Sequence, residues 1–303
     1  MGDVSRFKGI FVPVITPFTE QGELYSRGFE SILDYLCSSG IRGIWLLGSY
    51  GAFPLLSEEE RMQAAETALA EAKKLGMTVI VNAASLYTDM AVRLARHAEN
   101  SGAHAVASTV PFYYAASHYT RRNFLEYFRA LANAVRVPVF FYNNAKATGF
   151  SPDNDFFAEM LDLGITGFKS KGDYLEMSSQ INLVKKHCQS AVYLSGTTSV
   201  HLQGHILGAD GVTSGVALAL PGLVIRLQQA LEAGDIKEAV RLQELVLRAR
   251  NIMGRYAGRA LACYDMLGHK GVDAGTCRSP WLRIKPGRAR EVREDLSEIQ
   301  EAV

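Results

Sequence analysis

The sequence predicts an α/β fold of the (β/α)8-barrel (TIM barrel) class with a helical extension at its C-terminus. Three observations support this: eight short apolar runs rich in Val and Ile, helical patterns between them, and a spacing of about 20–35 residues. The runs are nearly continuous rather than alternating, as expected for parallel strands covered on both faces. An open doubly wound sheet is the alternative, but it usually has a glycine-rich loop after its first strand, where this chain has Thr16-Pro17-Phe18.

Each apolar run is expected to form one strand of the barrel. In chain order the runs are 9–15, 43–47, 78–83, 105–110, 137–142, 165–169, 191–195 and 211–214. The residues that end these runs are the candidates for chemistry, because active sites of such barrels lie at the C-terminal ends of the strands.

The helical segments carry recognisable start and stop signals. Ser57 and Glu60 have the spacing of a capping box, and Ser151-Pro152 is predicted to cap a further helix and to supply its first-turn proline. Glycines are expected to end four of the helices: Gly40, Gly76, Gly102 and Gly164. After Leu220 the pattern is helical to about residue 260 and again from about Arg288. We therefore predict a barrel domain over residues 1–220 and a helical extension over residues 221–303.

Composition excludes several classes of protein. The 303 residues are 48% hydrophobic, and 32 Lys and Arg balance 31 Asp and Glu, which disfavours a nucleic-acid partner. No apolar run reaches the length of a transmembrane helix, and the N-terminus lacks a secretory apolar region, so no membrane partner is expected.

The four cysteines are widely spaced and predict reduced thiols in the cytoplasm. His201 and His205 have no evident third ligand, and we expect no metal.

Lys169 is the most informative residue, because it ends an apolar strand and is directed to the mouth or interior of a barrel. Burial disfavours an ammonium and lowers its pKa, and a neutral amine can attack a ketone to form a Schiff base. A lysine that reaches solvent from the strand end is the alternative explanation. Tyr142 ends the preceding strand and could move protons beside an imine. Ser49 lies in a Gly-flanked turn whose backbone N–H groups could hold a carboxylate.

These residues occur within segments of a known family. The segment from Gly48 to Arg61 resembles the Gly-Ser/Thr-Thr-Gly-Glu region of the dihydrodipicolinate synthase / N-acetylneuraminate lyase family. Further segments are also similar to that family, in the same order: Thr16-Pro17-Phe18, Tyr142-Asn143 with Thr148-Gly149, Gly167-Phe168-Lys169 and Leu194-Ser195-Gly196. The chain is identified as a member from about Lys8 to its C-terminus.

The resemblance implies a class I aldolase-type lyase, usually a homotetramer, with no metal or organic cofactor. Its lysine that forms a Schiff base with pyruvate or another 2-oxo acid matches Lys169, and its proton-shuttling tyrosine matches Tyr142. The hydroxyl of its proton relay matches Ser49, and a tyrosine contributed by a neighbouring subunit matches Tyr113. The resemblance also implies a substrate site, to which we assign Gly48, Tyr50, Gly196 and Thr213. We add Lys171 to this site from its own position in the sequence, independently of the resemblance.

Several departures bear on the substrate. Members commonly have Thr where this chain has Tyr50, and Glu where it has Ala52, and the Tyr50 ring would enter the pocket unless it turns away. Dihydrodipicolinate synthases have an arginine for a substrate carboxylate where this chain has Ala147. The loop after Lys169 is also shorter than usual in the family.

Lys171 is a feature of this chain that the resemblance does not supply. Residues two apart on a strand face the same side, so a second ammonium is expected beside Lys169 if the strand continues. It would then lower the pKa of Lys169 further or bind a second carboxylate of the substrate. If the strand has ended, Lys171 is simply solvated.

Three functions remain open at this stage. The first is an aldolase or lyase for a hydroxylated 2-oxo acid, which combines an enamine with an aldehyde or releases one. The second is 4-hydroxy-tetrahydrodipicolinate synthase, which joins pyruvate and aspartate semialdehyde. The third is a non-catalytic barrel that binds a metabolite, which the pairing of Lys169 with Tyr142 disfavours.

Overall fold

Eight parallel strands form a closed barrel in the order β1 to β8, which confirms the predicted fold class. The computed structural model describes residues 4–114, 118–255 and 258–301, apart from the side chain of Gln300. The strands are β1 (Gly9–Pro13), β2 (Gly43–Leu46), β3 (Thr78–Asn82), β4 (Ala105–Ser108), β5 (Val139–Asn143), β6 (Gly167–Ser170), β7 (Val192–Ser195) and β8 (Gly211–Thr213).

Helices alternate with these strands, and further helices follow β8 as predicted for the C-terminal extension. Up to β8, the α-helices of the described residues are α1 (Ser26–Ser38), α2 (Glu58–Lys74), α3 (Thr88–Asn100), α4 (Arg121–Ala134), α5 (Ala145–Thr148), α6 (Asn154–Asp162), α7 (Tyr174–His187) and α8 (His201–Ile206). After β8 they are α9 (Val216–Ala219), α10 (Pro221–Glu232), α11 (Ile236–Met253), α12 (Arg259–His269) and α13 (Pro286–Glu301). Short 3₁₀ turns cover Ser5–Phe7, Phe53–Leu55 and Thr198–Val200.

The strands match the apolar runs in number and place but not at every end. Six strands end at the last residue of the matching apolar run or before it. The other two, β5 and β6, extend one residue beyond their runs, to Asn143 and Ser170. This extension follows from their pairing, because Tyr142 lies opposite Lys169 and Asn143 opposite Ser170 in the β5–β6 register. The two candidate catalytic side chains therefore belong to adjacent, paired positions.

The described residues fall into two compact units. One consists of residues up to Gly9 together with Thr78–Thr213, and the other of Ile10–Met77 together with the residues from Ser214 onwards.

The core of the first unit is aromatic. Phe141 on β5 packs edge to face with Phe128 on α4 at 5.3 Å and with Phe156 on α6 at 5.5 Å between ring centroids. All five residues of β5 are buried, which explains its continuous apolar sequence. Gly167 at the start of β6 leaves room for the ring of Phe140, since a Cβ there would lie 2.3 Å from that ring.

The core of the second unit joins β1 and β2 to their flanking helices. Phe11, Val12 and Pro13 pair with Gly43, Ile44 and Trp45 in parallel register. Gly43 is required here, because a Cβ at this position would lie 2.7 Å from the carbonyl oxygen of Ile10. Helices α10 and α11 follow one another and pack through buried Leu, Val and Ala side chains.

The helix signals were mostly correct. Ser57 and Glu60 form the predicted capping box at the start of α2, and the four predicted glycine stops have positive φ angles. The Ser151-Pro152 prediction is wrong: the cap is Asp153, whose carboxylate accepts the N–H of Phe156, and α6 starts at Asn154. A carboxylate accepts this bond well, and Asp153 also pairs with Arg121, which ties the cap to α4.

None of the helices in the described residues is both long enough and apolar enough to cross a bilayer.

Candidate active site

Lys169 lies in β6 with its side chain almost completely withdrawn from solvent. Only 4% of its surface is exposed, and its neighbours across the sheet are Tyr142 on β5 and Leu194 on β7. Burial lowers the pKa of the Lys169 amine well below its ordinary value, and the charge of Lys171 lowers it further. The structure therefore excludes the alternative in which this lysine simply reaches solvent.

Tyr142 supplies the surface on which the amine rests. The Lys169 Nζ lies 4.0 Å from the centroid of the Tyr142 ring, and the tyrosine is itself 2% exposed. The predicted neighbourhood of these two side chains is thus present in the structure.

Lys171 approaches the same ring although β6 ends at Ser170. Its Nζ lies 5.5 Å from the Tyr142 ring centroid, while the residue as a whole is exposed. Two lysine head groups therefore lie near one phenol ring, one buried and the other at the surface. The strand has ended and Lys171 is exposed, as expected for a solvated lysine, but its head group still approaches the ring as expected for a continuing strand.

Asn143 and Ser170 fix the ends of β5 and β6, a role that their sequence pattern does not predict. The Asn143 Nδ2 donates to the Ser170 Oγ at 3.0 Å, and both residues are buried. The same hydroxyl accepts the N–H of Gly172 at 3.4 Å. The signal in the sequence was a polar residue directly after each catalytic candidate, at the last paired position of each strand.

Thr213 ends β8, and its side chain is 4% exposed. The Thr213 Oγ1 is buried and has no hydrogen-bond partner within the ranges that the structure describes. Leaving a buried hydroxyl unsatisfied costs about 1–3 kcal/mol, so an oxygen or nitrogen of a bound molecule would satisfy it favourably.

In the second unit, the turn that follows β2 contains Gly48, Ser49 and Tyr50. The turn is bracketed by Leu47 and Ala52, which have φ angles of 53° and 50° and so adopt the left-handed conformation that non-glycine residues rarely take. Such strain of about 1–3 kcal/mol per residue is common where backbone groups bind a ligand. Ser49 is exposed at the tip of this turn.

Hydrogen bonds hold this strained turn in place. The Thr16 hydroxyl donates to the Gly51 carbonyl oxygen at 2.7 Å, and the Tyr264 hydroxyl donates to the Thr16 carbonyl oxygen at 2.7 Å. Gly48 packs on the indole of Trp45, where a Cβ would lie 3.0 Å from the ring. The Thr-Pro-Phe segment after β1 thus serves to support the turn after β2.

The Tyr50 ring packs against Gly215, the residue before α9. A Cβ on Gly215 would lie 2.1 Å from the Tyr50 hydroxyl oxygen, so glycine at 215 is what admits the ring. Tyr50 also lies near Arg250 on α11. Burial and the charge of Arg259 lower the pKa of Arg250, and the proximity of Tyr50 partly opposes that shift.

Two further sequence positions have clear locations. Tyr113, in the loop after β4, is 73% exposed and packs edge to face on Tyr114 at 5.0 Å. Ala147, at the position where an arginine would be expected in a dihydrodipicolinate synthase, lies exposed in the single-turn helix α5. Within the described ranges, no group of three or more His, Cys, Asp or Glu side chains is arranged to hold a metal.

The sequence matches the profile of the dihydrodipicolinate synthetase family over residues 6–299. The chain belongs to this family. A relative named 2-dehydro-3-deoxy-D-gluconate/2-dehydro-3-deoxy-phosphogluconate aldolase, from Thermoproteus tenax, is 33% identical over 93% of this chain and 91% of its own. The N-acetylneuraminate lyase of Rhizobium meliloti is 27% identical over 98% and 95% of the two chains.

Solved structures show the same fold. The protein YagE of Escherichia coli K12, a prophage protein of the dihydrodipicolinic acid synthase family crystallised with pyruvate, superposes with a TM-score of 0.91. It shares 24% identity, and the match covers 97% of this chain and 99% of YagE. Membership of a family of named aldolases and lyases confirms the prediction of a carbon–carbon lyase.

Proposed function

We propose that the protein is a Schiff-base aldolase that makes or cleaves a hydroxylated 2-oxo acid, with pyruvate as one partner and an aldehyde as the other. The observation that carries the proposal is the Lys169 amine, which is buried, has a lowered pKa and rests on the Tyr142 ring at the end of β6. A neutral amine is the form that attacks a carbonyl carbon.

The first half of the reaction forms an imine. The Lys169 nitrogen attacks the ketone carbon of the 2-oxo acid, the carbonyl electrons move to oxygen, and that oxygen takes a proton. The nitrogen loses a proton, and the hydroxyl then leaves as water after it receives another proton. The product is a protonated imine, which withdraws electrons from the bond to the neighbouring carbon.

The second half makes or breaks the carbon–carbon bond. In the direction of addition, the imine loses a proton from the methyl carbon to give an enamine, whose carbon attacks the aldehyde. The aldehyde oxygen takes a proton, and water hydrolyses the imine to release the product. Cleavage runs the same steps in reverse, and dehydration of the adduct is a further outcome within this chemistry.

Tyr142, Ser49 and Tyr113 are the groups we propose for the proton transfers. Tyr142 is adjacent to the amine and presents a phenol that can give and take a proton. Ser49 would extend the relay, with Tyr113 supplied by a neighbouring subunit. The 73% exposure of Tyr113 supports that last assignment, because its side chain is available to a second chain.

The carboxylate of the 2-oxo acid is proposed to bind the turn after β2, at the backbone of Gly48, Ser49 and Tyr50. Consecutive N–H groups in a strained turn are suited to bind an anion. The buried Thr213 hydroxyl and the Gly196 backbone after the end of β7 would complete the substrate contacts.

The substrate class follows from the relatives and from position 147. The Thermoproteus tenax relative is named for a 2-dehydro-3-deoxy sugar acid, which favours a hydroxylated 2-oxo acid here. A second candidate is 4-hydroxy-tetrahydrodipicolinate synthase, the activity for which the family is named. Ala147, in place of an arginine that binds a substrate carboxylate, makes this candidate the weaker one.

We further propose that the enzyme needs no metal or organic cofactor and acts as a homotetramer in the cytoplasm. The imine itself withdraws the electrons that a metal would withdraw in other aldolases. The proposed contribution of Tyr113 to a neighbouring site requires an oligomer. The four cysteine thiols, all in the described ranges and none in a disulfide, fit a reducing compartment.

The choice of aldehyde tests the substrate assignment. Purified enzyme is incubated with pyruvate and either D-glyceraldehyde or aspartate semialdehyde, and the loss of pyruvate is followed. We expect consumption with the hydroxylated aldehyde and its release from 2-dehydro-3-deoxy-D-gluconate. Consumption with aspartate semialdehyde alone would instead establish the synthase.

A further inference from the structure

Lys171 continues the hydrogen-bond ladder beyond the last residue of β6. Its N–H donates to the Asn143 carbonyl oxygen at 3.2 Å, and the carbonyl oxygen of Ser170 accepts the N–H of Gly196 at 2.7 Å. The chain is thus bonded on both sides at this point, to the ends of β5 and β7. Since residues two apart along a strand project to one side, this pairing directs Lys169 and Lys171 to the same side.

Gly196 provides the space in which the stem of Lys171 lies. A Cβ on Gly196 would be 2.8 Å from the Lys171 Cγ and 2.6 Å from the Ser170 carbonyl oxygen. Contacts this short do not occur in folded proteins, so any larger residue at 196 would displace the lysine stem. The first part of the Lys171 side chain is therefore packed, although its ammonium reaches solvent.

The nitrogens of both lysines lie near one aromatic ring. They lie 4.0 Å and 5.5 Å from the centroid of Tyr142, with Lys169 buried and Lys171 exposed. Burial is the larger cause of the lowered pKa of Lys169, and the positive charge of Lys171 is the second. Packing a fixed cation beside a buried amine makes protonation of that amine less favourable.

The acidic groups near this point are engaged in other bonds. Asp173 and Glu176 form the capping box of α7, in which each carboxylate accepts the backbone N–H of the other residue. On β7, the Tyr193 hydroxyl donates to Gln180 at 2.8 Å, and burial raises the Tyr193 pKa, so this phenol stays neutral. On β5 the titratable neighbour is Tyr142 itself. Within the described residues, neither carboxylate forms an ion pair with Lys171.

We propose that Lys171 is a positioning residue that favours the neutral, nucleophilic form of Lys169: its packed stem holds a positive charge beside the neighbouring amine. This inference rests on the proposed role of Lys169 as the residue that forms the imine. Lys171 acts through Lys169 and forms no bond to the reacting carbon.

Trapping with cyanoborohydride as a function of pH tests the inference. Sodium cyanoborohydride, which survives in mild acid, reduces the imine that pyruvate forms with Lys169, and the rate at which the adduct appears is measured from pH 5 to pH 9 on intact protein. Lys171→Met and Lys171→Gln remove the charge, Lys171→Arg retains it, and Lys186→Met removes an exposed charge from α7 as a matched control.

We expect the neutral variants to form the adduct about threefold or more slowly on the acidic side of the profile, because more of the Lys169 amine is protonated there. Their rates should converge with the natural enzyme at high pH. Lys171→Arg and Lys186→Met should follow the natural profile. Either neutral variant suffices if the other does not fold.

Three outcomes are possible contradictions, and they separate a failure of the proposed function from a failure of the proposed role of Lys171. If the natural enzyme forms no adduct at any pH, the proposed function fails and this inference fails with it. If adducts form with the same pH profile in all variants, this inference alone fails. If the profiles coincide and only the KM for a dicarboxylate substrate rises in the neutral variants, Lys171 binds a carboxylate and does not act through Lys169.

Discussion

Lys169 places an ionisable amine at a position with almost no exposure to solvent. In the folded protein its pKa is lowered by burial and by Lys171, whereas in the unfolded chain it returns to its ordinary value. Between these two pKa values the unfolded state binds more protons, so the stability of the protein rises with pH across that window. Nucleophilicity at neutral pH is thus linked to a loss of stability.

Replacement of Lys169 by Met should therefore stabilise the protein. At pH 7 we expect a gain on the order of 1 kcal/mol, because Met fills the site without an ionisable group. The gain in stability should shrink as the pH rises towards 10, because the natural lysine then becomes neutral in the unfolded chain as well as in the folded protein. Unfolding by urea at pH 7 and at pH 10 measures the effect. A destabilised Lys169→Met protein, or a gain independent of pH, would contradict this account, and exposed Lys186→Met should show no such gain.

The Tyr142 hydroxyl is expected to matter for chemistry rather than for packing. Tyr142→Phe keeps the ring beneath the Lys169 amine and removes the proton donor, so kcat should fall by about 10²–10⁴-fold. The borohydride adduct with pyruvate should still form, since the lysine remains in place. Steady-state kinetics and trapping on the same preparation give both readouts. An unchanged kcat would remove Tyr142 from the proton-transfer role.

At the scale of elements, helix α2 is anchored by a residue with two functions. Glu60 closes the capping box by accepting the Ser57 N–H at 2.9 Å, and it also pairs with Arg278, more than two hundred residues later in the chain. The Arg278 Nη1 donates to Glu60 Oε2 at 2.7 Å and to the Leu55 carbonyl oxygen at 3.0 Å. The hydrogen bond from Arg278 is the main reason that the pKa of Glu60 is lowered.

Glu60→Gln should destabilise the protein by about 1–2 kcal/mol at pH 7, because it removes the charge that Arg278 binds. The folded-state pKa of Glu60 lies below its ordinary value, so this stabilisation is present at neutral pH and is lost as the pH falls through that lowered pKa. The difference in the free energy of unfolding between the natural protein and Glu60→Gln should therefore diminish under acid conditions. Urea unfolding at pH 7 and pH 4 measures it. Exposed Glu244→Gln is the control, and an equal loss there would contradict a specific role for Glu60.

Local signals in the sequence predicted elements well and their connections less well. The eight strands follow from apolar runs because each is covered on both faces, and the Ser57 cap follows from residues three apart. The α6 cap was placed at Ser151 instead of Asp153 because several residues there can cap a helix, and packing selects among them. No local pattern links Glu60 to Arg278.

In the candidate site, too, some features are predicted by local sequence signals and others depend on contacts between distant residues. Lys169 and Tyr142 were predicted as neighbours because both end consecutive parallel strands, and consecutive strands pair in a barrel. The direction of the Tyr50 ring was left open, because it depends on the absence of a side chain at Gly215. Asn143 and Ser170 were not given a role, since their hydrogen bond joins two strands.

At the scale of the whole molecule, the assembly decides whether the proposed relay is complete. The exposed Tyr113 is assigned to a site in a neighbouring subunit, so one chain alone would lack a member of that relay. The division into a barrel over residues 1–220 and an extension over residues 221–303 stays a prediction of the sequence.

Mixed oligomers test the sharing of Tyr113. Tyr113→Phe and Lys169→Met should each lose most of the activity, but oligomers that contain both should recover part of it, because a Lys169→Met chain still lends Tyr113 to a neighbour with an intact lysine. Co-expression with two affinity tags isolates such oligomers, and sedimentation gives their mass relative to the 33.2 kDa chain. Chains that carry Tyr114→Phe serve as the control. No recovery in verified mixed oligomers would place Tyr113 outside the relay.

The proposed chemistry depends on an imine at Lys169, and chemical reduction makes that imine permanent. The natural protein and Lys169→Met are treated with pyruvate and sodium borohydride, digested and analysed by mass spectrometry. We expect a stable adduct on the peptide that contains Lys169 in the natural protein and none in the variant. An adduct on another lysine, or no adduct with pyruvate and a panel of other 2-oxo acids, would contradict it.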